Sequence, residues 1–163
     1  MSETPETIRP AAPSDETAIF QLIELLADFE KLRHQVVGSP EQLAAHLFGP
    51  RPVCEALVAE IASEANPIVG FALFFPTYST FRTQPGLWLE DLFVVPEHRR
   101  RGIARRLLGR LRAIATERDC GRLEWAVLDW NERAISFYES IGAPVLPDWR
   151  TCRIELDGHS DTP

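Results

Sequence analysis

The stretch Val94-Val95-Pro96-Glu97-His98-Arg99-Arg100-Arg101-Gly102-Ile103-Ala104 decides how this chain is read, because an apolar run gives way there to a helical pattern. Upstream, Leu87 to Val95 has the composition of a buried strand and stops at Pro96. Downstream, Ile103, Leu107, Leu108, Leu111 and Ile114 recur at helical spacing and predict an amphipathic helix over 101–118, ended by Gly121. A helix start leaves its first N–H groups unpaired and carries partial positive charge, so such a junction suits a phosphate. Gly102 and Ala104 keep the turn small enough for a pyrophosphate to approach the backbone. Seven of the seventeen Lys and Arg residues fall between Arg99 and Arg112, and arginine binds phosphate through two parallel hydrogen bonds. A solvated basic helix face would look the same, and the turn alone does not choose between the two.

Working outward, Thr7 to Pro10 reads as a short strand, followed by a helix from Ser14 with Ile19, Leu22, Ile23, Leu26 and Phe29 on one face. Ser39-Pro40-Glu41-Gln42 is a capping box with proline in the first turn; it opens a second helix that Gly49-Pro50 stops. Val53 to Ile61 and Ile68 to Phe75 predict an antiparallel hairpin across the polar turn at 63–67. Tyr78 to Gly86 is expected to be a polar loop. Leu123 to Leu128 reads as a strand, Asn131 caps a helix ending at Gly142, and Arg150 to Leu156 reads as a last strand. The order predicts an α/β (α+β) chain with a mixed sheet packed between helices.

The chain has 163 residues, 45% of them hydrophobic, which fits a single domain with a core large enough for a ligand cleft. Its formal net charge of -7 disfavours nucleic acid and anionic membranes as partners unless a local basic patch overrides it. The arginine cluster lacks interleaved aromatics, so nucleic acid is not expected as a partner. The N-terminus is acidic and polar, unlike a secretory signal, and the longest apolar run, Ile68 to Phe75, is far short of the roughly 20 residues that cross a bilayer. Cys54, Cys120 and Cys152 are widely spaced and predict reduced thiols rather than a disulfide or zinc site, which points to the cytoplasm. His34, His46, His98 and His159 are scattered singly, and none is given a catalytic role.

A second block settles the ambiguity of the turn. Asp129-Trp130-Asn131-Glu132-Arg133-Ala134-Ile135-Ser136-Phe137-Tyr138-Glu139-Ser140-Ile141-Gly142-Ala143 has the form N-x-x-A-x-x-F-Y-x-x-x-G, and Arg99, Gly102 and Ala104 fill R-x-x-G-x-A. At this separation the two blocks resemble the paired signatures of the GNAT superfamily of N-acetyltransferases, over residues 8–156. Within it, Asp28-Phe29-Glu30, Leu89 to Val95 and Trp130-Asn131-Glu132 are similar to the spermidine/spermine and thialysine acetyltransferase group. One loop departs from that group. Where the polyamine enzymes carry an acidic residue and a tryptophan, this chain has Tyr78-Ser79-Thr80-Phe81, which weakens the case for a long polyamine within the expected class of polyamine, diamine or thialysine-like acceptors and leaves a shorter amine or an amino acid such as thialysine open.

The resemblance implies the acyl-CoA N-acyltransferase fold, with a mixed, mostly antiparallel sheet flanked by helices. It implies one domain over residues 7–157 with flexible ends at 1–6 and 158–163, acetyl-CoA as co-substrate, no metal, and a homodimer. It implies Glu90 as general base, directly or through water, Asp91 in a supporting role, and Tyr138 as general acid toward the departing thiolate. The coenzyme carbonyl is expected at the backbone of Leu92, Phe93, Val94 and Val95. The phosphates are expected at Arg99, Arg100, Arg101, Gly102, Ile103, Ala104 and Arg105, with further coenzyme contacts from Asn131, Ala134 and Tyr138. Phe29, Glu30, Phe81, Glu90, Asp91 and Trp149 are expected around the amine. A free alkylamine has a pKa of roughly 10.4 and arrives mostly protonated, and a carboxylate can attract that cation and then take its proton, directly or through water. Protein lysine or N-terminal acetylation, and a non-catalytic acyl-CoA-binding module, are the alternatives.

Overall fold

The computed structural model describes residues 6–156; of the flexible ends expected at 1–6 and 158–163, all but Glu6 lie outside them. The chain divides into two compact units, residues 1–125 and 126–163.

The first unit holds a five-stranded sheet in the order β1-β2-β3-β4-β5. Its strands are β1 (Thr7–Pro10), β2 (Glu55–Glu60), β3 (Ile68–Ser79), β4 (Gln84–Val94) and β5 (Leu123–Glu124). The first four pair antiparallel and β5 runs parallel to β4, so the sheet is mixed and mostly antiparallel. Helices α1 (Glu16–Glu30), α2 (Pro40–Phe48) and α3 (Ile103–Glu117) pack with it.

Ile68 to Leu73 and Phe74 are all buried, the signature of a strand covered on both faces. On one face Ala56, Val58, Phe71, Leu73 and Phe93 meet Ile19 and Leu22 of α1 and Leu47 of α2. The alternate residues Leu57, Ala72, Phe74 and Leu89 are as deeply buried, and α3, which packs against β2, β3 and β4, contributes the buried stripe Ile103, Leu107, Leu108, Leu111 and Ile114. The Ser39 capping box forms as predicted, its Oγ accepting from the Gln42 N–H and the Gln42 Oε1 from the Ser39 N–H.

Three expectations change, the first being the strand expected at Leu123 to Leu128, which shortens to Leu123–Glu124. The segment at Tyr78 to Gly86 is a continued hairpin: Tyr78 pairs with Pro85 and Ser79 with Gln84, and only 80–83 turn. The turn is closed by the Ser79 Oγ, which accepts from the Arg82 N–H, and by Thr83 in the left-handed region at φ 50°. Threonine and tyrosine are good strand formers when a partner strand is at hand, and here β4 supplies it. The strand expected at Arg150 to Leu156 does not form; these residues are irregular and exposed. An isolated strand has no use for its amides, and no described strand pairs with this one.

The second unit contains α4 (Glu132–Ser140). Asn131 caps it as predicted, its Oδ1 accepting from the Ala134 N–H at 3.2 Å. Gly142 stops it at φ 83°, donating to Glu139 O while Ala143 donates to Tyr138 O.

Phe71 is fully buried at the centre of the sheet. Phe71→Ala is expected to cost about 3–5 kcal/mol in denaturant unfolding, whereas substitution of the exposed Val37 should cost next to nothing.

Candidate active site

The site is built on β4. Its partner β5 pairs only at Leu87 and Trp88, so from Leu89 onward no described strand covers that edge. Strand amides alternate in direction. Phe93 pairs with Phe71, and the Val95 N–H donates to Val69 O at 2.9 Å, so these two face β3. Leu92 and Val94 therefore turn their backbone groups to the uncovered edge. The Val94 carbonyl confirms the direction, since it accepts from Arg99 Nε at 2.9 Å rather than from β3. Of the expected carbonyl-binding residues, Leu92 and Val94 thus offer backbone to a ligand, and Val95 has its N–H already engaged.

At Glu90 the ladder slips: Phe74 pairs with Leu89 and Leu73 with Asp91, leaving Glu90 as the extra residue of a bulge. Strict alternation of Glu90 and Asp91 is therefore not imposed by the pleat. Their surroundings differ all the same. Glu90 is exposed and accepts from Trp88 Nε1 at 2.9 Å. Asp91 is partly buried; burial, then the negative charges of Glu90 and Glu30, push its carboxyl up to about 7. Glu30, at the end of α1, is raised as well, by burial. Sequence alone could not single out Asp91, because the largest cause is burial, which the fold supplies, as it also brings Glu30 near β4.

After β4 the chain makes a single turn of tighter helix at Pro96–His98 and enters α3 through two left-handed residues, Arg100 at φ 65° and Gly102 at φ 81°. Gly102 is the N-cap, and no side chain of the described residues caps the helix. The N–H groups of Ile103, Ala104 and Arg105 precede the first helical bond, from Arg106 to Gly102 O. At φ 81° Gly102 has a backbone conformation that other residues rarely adopt, so the glycine is required by the backbone; a Cβ there would meet only the flexible tip of Arg106, at 3.0 Å. The cradle is therefore shaped for an anion.

The arginines of this turn are sorted. Arg99 stacks between Phe29 and Phe93, its guanidinium carbon 5.2 and 5.3 Å from the ring centres. Arg106 donates to Arg101 O and pairs with Glu6. Arg101 Nη1 lies 2.9 Å from Nδ1 of the buried His98. Arginine can only donate, so Nδ1 is the acceptor and the ring proton sits on Nε2, 3.7 Å from Glu64. His98, which the sequence left without a partner, is a built part of the turn; its spacing of three residues from Arg101 was the available signal.

The remaining expected residues fall apart by exposure. Phe29 is half-exposed at the end of α1, while Phe81 is 98% exposed at the tip of the β3–β4 hairpin and packs on none of the others. In the second unit, Asn131, Ala134 and Tyr138 lie on the first two turns of α4, with the Tyr138 ring tilted against Phe137 at 5.5 Å between centres. Trp149 follows in an irregular segment and is exposed. Among the described residues no cluster of three or more His, Cys, Asp or Glu could hold a metal, and no helix is long and apolar enough to cross a membrane.

The raised Asp91 pKa has a consequence for stability. Between its ordinary value of 3.8 and about 7, folded Asp91 keeps a proton that the unfolded chain has lost. Stability therefore falls as pH rises through that window and levels off above it. Asp91→Asn is expected to raise Tm by about 2–4 °C at pH 8 and hardly at all at pH 4, measured by thermal unfolding at both values.

Residues 20–143 match the model of the acetyltransferase (GNAT) family. The chain is 38% identical over 156 residues to thialysine N-epsilon-acetyltransferase of Mus musculus, with 91% of each covered. It is 32% identical over 192 residues to L-ornithine N5-acetyltransferase of Arabidopsis thaliana, with 92% of this chain and 84% of the relative covered. An aminoglycoside acetyltransferase from an uncultured soil metagenomic sample shares the fold, with a TM-score of 0.75 over 93% of this chain and 96% of that one at 19% identity. The strand–turn–helix cradle and the match across most of the chain lead to the same place: the chain belongs to the acetyltransferase (GNAT) family.

Proposed function

We propose that this protein transfers the acetyl group of acetyl-CoA to a primary amine of a small molecule, with thialysine-like amino acids and diamines as the acceptor class. The observation that carries the reading is one junction: β4 turns Leu92 and Val94 to an uncovered edge and runs directly into the uncapped start of α3. The first offers amides to a carbonyl, the second to phosphates. Acetyl-CoA would supply the thioester. The coenzyme contacts assigned to Arg100 to Arg105, Asn131, Ala134 and Tyr138 belong to the same reading, whereas Phe93 and Val95 turn their backbone groups to β3 and the Arg99 side chain is held at the Val94 carbonyl. The relatives named for thialysine and ornithine support an amino-acid acceptor.

The acceptor arrives as a cation, and Glu30, Glu90 and Asp91 supply negative charge for it, with Phe29 as an apolar wall and Phe81 and Trp149 as outer contacts. Glu90 is the proposed base, directly or through water. Asp91 is the second candidate, because a carboxyl held at about 7 accepts a proton near neutral pH better than an ordinary one. Tyr138 is the proposed acid, its hydroxyl giving a proton or hydrogen bond to the departing thiolate. The two units are read as one domain over 7–157, a reading supported by the family match, which crosses residue 125. A cytoplasmic homodimer belongs to the same reading: the free thiols Cys54, Cys120 and Cys152 suit a reducing compartment, and a net charge of -7 disfavours nucleic acid and anionic membranes as partners.

Thiol release from acetyl-CoA with a panel of thialysine, ornithine, lysine, diamines, spermidine and aminoglycosides tests the reading; turnover is expected with an amino-acid amine, and tight coenzyme binding without turnover of any would remove it. Tyr138→Phe is expected to lower kcat about a hundredfold or more with coenzyme affinity nearly unchanged. The acid limb of kcat/KM is expected to vanish in one of Glu90→Gln and Asp91→Asn; whichever variant keeps it does not lack the base.

A further inference from the structure

Arg99 stands in a phosphate-binding turn, yet its side chain runs back over the protein. Its Nε–H donates to Val94 O at 2.9 Å, and its guanidinium lies 5.2 Å from the centre of Phe29 and 5.3 Å from that of Phe93. Both distances are inside the range of about 6 Å over which a cation is attracted to an aromatic face. The two rings are held very differently. Phe93 is 5% exposed and locked opposite Phe71 in the β3–β4 ladder, whereas Phe29 is 43% exposed on the last turn of α1. The fixed ring and the strand carbonyl thus anchor the guanidinium, and the guanidinium in turn anchors the loose ring.

That last turn carries Asp28 and Glu30 at the negative end of the helix dipole and no basic residue of its own; from beyond the helix Arg33 pairs with Asp28 at 2.8 Å and with Glu24 at 2.6 Å. A cation held over Phe29 opposes this charge from outside the helix. Arginine suits the task where lysine would not, because a flat guanidinium stacks on a ring while still donating through Nε.

We propose that Arg99 is a positioning residue for the acceptor amine: it pins Phe29, and with it the end of α1 that carries Glu30, against β4 beside Asp91. The proposal rests on the acetyltransferase reading above. In it the turn holds phosphates through its backbone amides and the other arginines, and the Arg99 side chain acts through Phe29.

Kinetics with acetyl-CoA and thialysine or ornithine, together with calorimetric titration of coenzyme A, test it on Arg99→Met, Phe29→Leu and the double variant. The KM for the amine is expected to rise about three- to thirtyfold in each single variant, the span of an exposed to a desolvated cation–π contact, with little further rise in the double. Coenzyme Kd and kcat are expected to stay within about twofold, because the change is confined to binding of the amine. Phe29→Tyr, which keeps the ring, should restore the wild-type KM. Weaker coenzyme binding by Arg99→Met with an unchanged amine KM would overturn the proposal and make Arg99 a phosphate ligand, and strictly additive effects would overturn it too. Should Arg99→Met not fold, Arg99→Lys with the Phe29 pair decides the same question. A wild-type chain that binds coenzyme A but turns over neither amine removes the underlying reading and the proposal with it, a result distinct from the variant outcomes.

Discussion

Backbone amides in a sheet need partners on both sides, and β4 lacks a strand on one of them for most of its length. Its pairing with β3 runs from Gln84 to Val94, while β5 meets it only at Leu87 and Trp88. The long ladder keeps β4 rigid, and the short one leaves Leu92 and Val94 with polar groups turned to an uncovered edge. The Arg99 contact to Val94 O occupies one of those groups. The rest of the site is arranged around this asymmetry, because the chain leaves the same strand to form the left-handed turn at Arg100 and Gly102 and the uncapped start of α3.

Charge is distributed around that junction by sign. The turn carries arginines, and each of the three with contacts described is held by a different kind of partner. Arg99 lies between two rings, Arg101 against a buried histidine, and Arg106 on a carbonyl and a carboxylate. The bulge of β4 carries acids, of which Glu90 remains in water and Asp91 is withdrawn from it. Withdrawal next to Glu90 and Glu30 is what raises Asp91, so the unusual carboxyl is a product of crowding by elements distant in sequence. Glu30 comes from α1, some sixty positions earlier in the chain than Asp91. Arg99 ties the two together by holding Phe29 against Phe93.

The strand–turn–helix passage at 94–104 was legible because an apolar run, a proline, a glycine and a helical apolar stripe follow one another without a gap. Both helix caps at Ser39 and Asn131 were legible for the same reason, being short-range patterns satisfied by residues three positions apart. The hairpin arms beyond Phe75 were not. Thr77, Tyr78 and Ser79 are polar enough to read as loop, and they become strand because Gln84, Pro85 and Gly86 pair with them. The segment 150–156 shows the converse: strand-like residues stay irregular where no described strand meets them. His98 was passed over because its three-residue spacing from Arg101 does not by itself imply contact, and its role depends on burial and on the Arg101 side chain reaching back to it.

By itself, the sequence determined the element order as far as α4, the mixed α/β class, the glycine-bearing helix start and the pairing of the two signature blocks, all of which rest on residues close together in the chain. The tertiary structure decided the slip of the ladder at Glu90, the crowding that lifts Asp91, and the stacking of Arg99 between Phe29 and Phe93. These depend on which strands stop short and which side chains then meet across the sheet. Burial and contact between distant segments are properties of the folded chain, and no local pattern of residues encodes them.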